Sequence, residues 1–561
     1  MSTIKDLTAI VGSHHIVTSA AKSLRYRKGY RSGQGDALAV VMPGTLLEMW
    51  QVLKVLHRDN IVILMQASNT SLTEGSTPTG EGYDRDVVIV KGSRIKDLQL
   101  INQGKQILAF PGTTLANLEK TLKPLNREPH SVIGSSTLGA SVIGGINNNS
   151  GGALIQRGPA YTELALYARI DENDELHLVN HLGIDLGNTP EEILDNLANR
   201  RFDLNNVPNS EERVGHNRNY EERVRDVDSD MPTRYNADPK GLYEASGAAG
   251  KVATFAVRLD TYPSEGELQV FYIGTNSPAV LEKMRRHILA NFKNLPVSGE
   301  YMHKEAYDLA KIYGKDSLMV IDKVGTDILP TMFGMKASAE RILGHIPTFK
   351  PYFPDRFLQR AGHLFPNQLP KRMEDYANRF QHYLQLKMSG EGIAEARAYL
   401  TDFFKEEEGE FFEANADETN KASLHRYVTA SVPIRYQELH QDKIDILPID
   451  VALRRNDDDW FETLPKEIDD KIEYKLYYGH FLDHVMHQDY ILKPGVDAHE
   501  LKQEMLKLFD KRGAIYPAEH NVGHLYDAAP SLIEHYKKND PTNSFNPGIG
   551  KTSMRKWWEE Y

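Results

Sequence analysis

Residues 133–152 read IGSSTLGASVIGGINNNSGG. Glycine stands at 134, 139, 144, 145, 151 and 152, and each would cost roughly 0.5–1 kcal/mol relative to alanine in a helix or strand interior. No regular element accommodates the whole run. Ile133, Leu138, Val142, Ile143 and Ile146 punctuate it, which a flexible linker would not carry. Backbone passing close to a ligand explains both features. A second polar stretch, QASNTSLTEGSTPTGEG from Gln66, lies between the apolar runs 61–65 and 86–90. In a strand–loop–strand arrangement of this kind, the loop is the part that carries function.

The flanking segments predict an α+β or α/β architecture. Residues 36–43 read as a strand ending at Pro43. Thr45 is placed to cap a helix with apolar positions Leu46, Leu47, Trp50, Leu53 and Leu56. Residues 186–240 are polar and charge-rich and read as a surface excursion. SGAAGKVATFAVRL, residues 246–259, returns to small residues leading into a strand. A chain of 561 residues exceeds one hydrophobic core, so two or three packed units are expected.

The formal net charge of -12 argues against a general nucleic-acid binder. The absence of cysteine excludes disulfides, thiolate catalysis, zinc–thiolate sites and iron–sulfur ligation, and fits the cytosol. The opening MSTIKDLTAIVGSHH has no basic-then-apolar signal pattern. No run of about 18 apolar residues predicts a spanning helix. Within this acidic chain, residues 331–388 reverse the local balance. Lys350, Arg356, Arg360, Lys371, Arg372, Arg379 and Lys387 alternate with Phe349, Tyr352, Phe353, Phe357, Phe365, Tyr376, Phe380 and Tyr383. That composition suits an anionic lipid surface. It equally suits a solvated helical face over core aromatics.

GHFLDHVMHQDY, residues 479–490, carries His480, His484 and His487, which would share one face of a helix. Thirty residues on, PAEHNVGH supplies Glu519, His520 and His524. Imidazoles and a carboxylate together suit a divalent zinc-, manganese- or iron-type ion.

GHFLDHVMHQDY resembles the GHxGDGNxH stretch of the FAD-dependent 2-hydroxyacid dehydrogenases of the vanillyl-alcohol-oxidase (PCMH-type) fold. Glu519-His520-Asn521-Val522-Gly523 is similar to the same family's EHGxG. QASNTSLTEGS resembles its first flavin loop, and IGSSTLGASVIGG with NNNSGG resembles its second. SGAAGKVATFAVRL and DPTNSFNPG resemble its remaining motifs, all in the family's order. RSGQGDALAVV, REPHSVIGSS, TRYNADP and YPAEHNVGHLY point to the family's bacterial respiratory branch. Leu482, His484 and Asn521 stand where the family carries glycine.

The resemblance implies an α+β chain divided as follows. Residues 1–265 would form a two-subdomain FAD-binding domain, and 266–330 with 389–520 a substrate cap. Residues 331–388 would be a helical membrane-binding insertion, and 521–561 would return to the FAD domain. It implies non-covalent FAD contacted by Ala67, Ser68, Asn69, Thr70, Ser71, Gly75, Ser76, Gly134, Ser141, Gly151, Val252 and Ala253. Such small residues let backbone N–H donors approach a pyrophosphate. It implies a divalent metal on His480, His487 and Glu519, His520 as the base, and Arg426 on the substrate carboxylate. Arg454 and Arg455 are weaker candidates for that last role. The expected reaction is oxidation of D-lactate to pyruvate, with hydride transfer to flavin N5. Electrons would pass to ubiquinone or menaquinone from an enzyme peripheral to the cytoplasmic face of the bacterial inner membrane, on anionic phospholipid. A soluble FAD dehydrogenase of another D-2-hydroxy acid, such as D-2-hydroxyglutarate, is the alternative. No Gly-x-Gly-x-x-Gly between an early strand and helix supports an NAD enzyme.

Overall fold

The computed structural model describes residues 2–131, 139–209, 212–324, 359, 367–440 and 444–560. Strands β1 (Ile16–Val17), β2 (Ala39–Val41), β3 (Val62–Gln66) and β4 (Val87–Lys91) form a sheet in the order β1-β2-β4-β3. The pairs β2–β4 and β3–β4 are parallel. The helix Leu46–Arg58 makes the crossover from β2 to β3, with the Thr45 hydroxyl accepting from Glu48 N. It buries Leu46, Met49, Trp50, Leu53 and Leu56 on one stripe, and Val52 and Val55 widen it. Leu47, expected on that stripe, is instead exposed, because one residue is about 100° of helical turn and carries it off the apolar face.

A second, antiparallel sheet follows. Its strands are β5 (Leu98–Ile101) and β6 (Gln106–Ala109), then, after the two-residue β7 (Arg127–Glu128), β8 (Ala165–Ile170), β9 (Leu176–Asn180) and β10 (Ala253–Asp260). The order is β5-β6-β10-β8-β9, and β7 pairs separately with β11 (Tyr262–Pro263). One small-residue loop leaves β3 of the first sheet. The other runs into the short helix Val142–Asn147, which packs beside the second sheet. The end of the chain returns to the first sheet: Ile63 N donates to Ser544 O, and Asn546 N to Ile63 O.

The third sheet has seven antiparallel strands: β12 (Leu268–Thr275), β13 (Ser298–His303), β14 (His382–Ser389), β15 (Glu410–Ala414), β16 (Ile446–Ala452), β17 (Ile472–His480) and β18 (Val485–Leu492). Their order is β15-β12-β14-β13-β17-β18-β16. Alternation along β12 separates two cores. Phe271 and Ile273 join Leu281, Met284 and Ile288 of the helix Pro278–Asn291. Val270 and Tyr272 join Tyr307 and Ala310 of the helix Lys304–Tyr313 on the other face.

Residues 331–358 and 360–366 of the basic aromatic segment lie outside the described residues. Its remainder belongs to this cap. Residues 382–388 are part of β14, in the interior of the sheet. Tyr376, Phe380 and Tyr383 are buried in the same core as Tyr272. Arg372 pairs with Glu418 and Arg379 with Glu410. These aromatics are therefore core residues: Tyr376 lies on the helix Lys371–Ala377, Phe380 just after it and Tyr383 in β14, while the arginines beside them are ion-paired. No described helix is long and apolar enough to cross a membrane.

His484 shows why the cap holds its shape. It sits in the β17–β18 turn in left-handed conformation, φ 53°, and is fully buried. Its Nε2 meets Glu282 Oε2 at 2.9 Å and its Nδ1 meets the Arg454 carbonyl at 3.0 Å. Glu282 also accepts two hydrogen bonds from Arg285, at 2.7 and 2.8 Å. Burial pushes the Glu282 carboxyl up, but the Arg285 hydrogen bond and the His484 charge outweigh it and hold it down at about 2. Because the folded value lies below the ordinary one, this stabilisation is complete above about pH 5 and fades as pH falls toward 2. Glu282→Ala leaves Arg285 buried without its carboxylate, and a urea melt at pH 7 is expected to register a loss of about 3–5 kcal/mol. The deficit should shrink when the melts are repeated near pH 3.

Candidate functional site

The histidines of GHFLDHVMHQDY lie on a hairpin rather than a helix. His480 ends β17 and His487 lies in β18, with Tyr478 opposite His487 and His480 opposite Val485. The two histidines are thus diagonal neighbours on one face, ring centroids 5.4 Å apart. The turn throws His484 to the opposite side, into the brace described above.

Glu519 arrives from the loop after the helix Ala498–Arg512. Its Oε2 lies 3.5 Å from His480 Nε2 and 3.8 Å from His487 Nε2. Its backbone N–H donates to Asp450 Oδ2 at 2.8 Å. The potential ligand atoms of His480, His487 and Glu519 all lie within 4.8 Å of one another. Each imidazole is backed on its other nitrogen by a carboxylate from the neighbouring strand. His480 Nδ1 lies 2.6 Å from Glu300 Oε1, and His487 Nδ1 lies 3.1 Å from Asp450 Oδ1. The register causes this, since Glu300 is paired with His480 across β13–β17 and Asp450 with His487 across β16–β18. His520 is partly exposed, its Nε2 4.0 Å from Asp450 Oδ2.

Charge is the governing quantity here. Glu300, Asp450, Asp483 and Glu519 are gathered with two guanidiniums, Arg234 and Arg426. Burial alone would lower the His480 imidazole. The charges of Glu300 and Glu519, with a hydrogen bond to each, outweigh it and raise it to about 10. Burial likewise raises Glu300, and His480 and Arg426 bring it down to about 2. Burial opposes ionisation of Glu519 too, and His480 and Arg234 hold it below the usual carboxylate range. The cluster calls for positive charge between Glu519 and the imidazoles. A proton on His480 supplies it, and a divalent cation on the same three groups would supply more. Oxygen and imidazole donors, each imidazole backed by a carboxylate, fit a zinc-, manganese- or iron-type ion.

Both small-residue loops close on this cluster. Ser68 Oγ donates to Gly139 O at 2.5 Å, joining the loops. Asn69 adopts φ 59°, and its Oδ1 accepts from Ser76 Oγ. Ser71 Oγ accepts from Thr73 N and Gly75 N, turning the chain tightly beside Thr70. Ala67 O accepts from Lys91 Nζ. Ser141 caps the helix Val142–Asn147 through Gly144 N. A Cβ on Gly151 would overlap Glu519, so the second loop and the histidine cluster touch. Val252 and Ala253 are fully buried where β10 begins. Buried atoms without a partner include Asn149 Oδ1, Asn521 Nδ2 and Asn546 Oδ1. Asn546 itself bridges Gly75 O and Ala249 O. Orphaned amides among small-residue loops fit a large polar cofactor such as FAD. Gly134 lies outside the described residues.

Arg426 reaches the cluster from the helix Ala416–Thr429. Its Nη2 lies 3.1 Å from Glu300 Oε2, its guanidinium stacks 4.5 Å over Tyr478, and its Nε is buried without a partner. Arg455 is spent on the carbonyls of Met231 and Arg223. His524 is buried, with its Nδ1 3.1 Å from Gly548 O. Sequence reasoning missed Glu300 and Arg234. Both sit far from the histidine motifs in sequence; Glu300 lies in no motif, and Arg234 lies in TRYNADP, a stretch that carried the resemblance without a role for its arginine. The surface-excursion reading of 186–240 fails at Leu186, Ile193, Leu194, Leu197, Val224 and Val227, which join hydrophobic cores, and again at the buried Thr233, Arg234, Asn236 and Ala237, where Asn236 N donates to Ala518 O beside Glu519.

A family model described as an FAD binding domain matches residues 37–165, which hold both loops. The structure of p-cresol methylhydroxylase with substrate bound superposes with a TM-score of 0.57 at 11% identity, covering 98% of this chain and 96% of that one. The fold is that of p-cresol methylhydroxylase, and its first part is an FAD-binding domain. A second model, D-lactate dehydrogenase, membrane binding, matches residues 270–558, a span much longer than 331–388. The quinone-dependent D-lactate dehydrogenase of Escherichia coli (strain K12) is 58% identical over 558 residues, 99% of this chain and 98% of its own. That of Haemophilus influenzae is 56% identical over 559 residues, 99% of each. The chain belongs to the quinone-dependent D-lactate dehydrogenase family.

Gly523 ties the two motifs together. It has φ +57°, and a Cβ there would overlap the Thr73 carbonyl of the first loop. Gly523→Ala is expected to push that loop out of place, and the purified variant should retain under a tenth of the parent's flavin absorbance per protein.

Proposed function

We propose that the protein oxidises D-lactate to pyruvate and passes the electrons to a membrane quinone. His520 would take the hydroxyl proton, and FAD held by the two small-residue loops would take the C2 hydrogen with its electron pair at N5. FAD, held without a covalent bond, supplies the two-electron acceptor when bound. The observation that carries this reading is the His480–His487–Glu519–His520 cluster, built against both flavin loops through Gly151 and Gly523.

His520 suits the base role. It is the most exposed imidazole of the cluster, at 36% against 12% and 21% for His480 and His487, and Asp450 stands 4.0 Å from its Nε2. His480, His487 and Glu519 would hold a divalent metal, which would lower the pKa of a hydroxyl bound to it. Arg426 would receive the substrate carboxylate, its field drawing an anion into a cluster otherwise rich in carboxylates. The family model's description supports peripheral attachment to the membrane, and the basic aromatic sequence around residues 349–360 suits anionic phospholipid at the cytoplasmic face.

Anaerobic addition of D-lactate should bleach the flavin band of the purified protein, with L-lactate leaving it unchanged. A band indifferent to both isomers would reject the substrate. His520→Ala should slow that bleaching by about 10²–10⁴-fold, the usual contribution of a general base, while the oxidised spectrum stays that of the parent.

A further inference from the structure

The histidine cluster includes a cation that the reaction as written does not use. Arg234 lies in the TRYNADP stretch, on the polar excursion, and its side chain is 3% exposed. Its Nη2 donates to Glu519 Oε1 at 2.7 Å and lies 3.3 Å from Asp483 Oδ2. Asp483, fully buried in the β17–β18 turn, accepts from Tyr220 OH at 2.9 Å.

The consequence for Glu519 is a division of labour between its oxygens. Oε1 is taken by Arg234, and Gly151 closes on the same atom. Oε2 is left facing His480 and His487. Asp450 fixes the backbone N–H of the same residue. The carboxylate is thereby held from three directions with one oxygen presented to the imidazoles.

Arg234 is not placed there for its own hydrogen bonding. Its Nε and Nη1 are buried without partners. A buried cation with unpaired donors costs free energy, and a buried ion pair is weak support for stability in general. Its ion-pair partners are Glu519 and Asp483, and the closer of the two is Glu519.

We infer that Arg234 is a positioning residue that acts on the oxidation of the hydroxy acid through Glu519, with Asp483 and Tyr220 setting its own orientation. The inference rests on the proposed function above. It makes the excursion between the second sheet and the cap a working wall of the site. Partners that orient metal-ligating or catalytic side chains typically contribute 10–100-fold to affinity or rate.

A double-variant cycle on the flavin-loaded protein tests it. The rate of flavin reduction and its D-lactate dependence are measured by anaerobic stopped flow for Arg234→Met, Glu519→Gln and the pair. Arg234→Met is expected to lose about 10–100-fold in the limiting reduction rate, with a smaller change in the lactate concentration at half-maximum. The pair should be no slower than Glu519→Gln alone, because the arginine has nothing left to position. Arg234→Lys should recover part of the loss. Flavin content and melting temperature control for folding, and should Arg234→Met not fold, Arg234→Lys carries the cycle. Calorimetric titration with Mn²⁺ adds a readout independent of turnover, with weaker binding expected in Arg234→Met. Multiplicative losses in the pair, or a parent-like Arg234→Met, overturn the inference and leave the proposed function standing. A parent-like Glu519→Gln instead removes the glutamate from the reaction, and overturns the inference together with the metal-ligand role proposed for Glu519, while D-lactate oxidation stands.

Discussion

Buried negative charge around His480 and His487 is the constraint that the rest of the site answers. Glu300, Asp450, Asp483 and Glu519 arrive from a strand, another strand, a hairpin turn and a loop. Moving a carboxylate from water into a protein interior costs several kcal/mol even after relaxation. The opposing charges come from equally separate places: Arg234 from the excursion, Arg426 from a cap helix, and the imidazoles from the hairpin itself. No single segment could be stable in this arrangement alone. The cluster therefore couples the cap to the flavin-binding half, and its geometry is as rigid as the packing of four elements allows.

That coupling explains the path of the chain. The cap lies in the middle of the sequence, yet its hairpin must face the flavin loops. The chain solves this by sending residues 521–546 back to them. Thr73 O receives His524 N, Thr73 Oγ1 donates to Asn521 O, and Phe545 pairs with Ile63 beside β3. The glycine at 523 permits the close approach of the two backbones. Glu519 and His520 stand immediately before that junction, so the segment that closes the fold also carries the two residues proposed for the chemistry.

Much of the cluster was legible in the sequence because motif spacing survives folding. A seven-residue separation between His480 and His487 is compatible with several local structures. The hairpin chose the one in which they are diagonal neighbours. The Thr45 cap, the buried crossover helix and the strands either side of the first loop followed from local patterning, which depends on neighbouring residues alone. Glu300 and Arg234 did not follow, because a residue's charge says nothing about which strand or loop it will oppose. The aromatics Tyr376, Phe380 and Tyr383 illustrate the same limit. In composition they belong to a basic, lipid-facing segment, while the structure sets them inside the cap core.

The sequence by itself determined the chemistry available: small-residue loops able to approach a cofactor, an imidazole–carboxylate set, and a chain without thiols. These depend on residue type and on short spacing, which are fixed before folding. Only the tertiary structure decided which carboxylate backs which imidazole, and that a polar excursion carries a buried arginine to Glu519. Those pairings span up to 285 residues of separation, as between Arg234 and Glu519. They are selected by sheet register and by the cost of leaving buried charge unpaired, and both exist only once the strands have met.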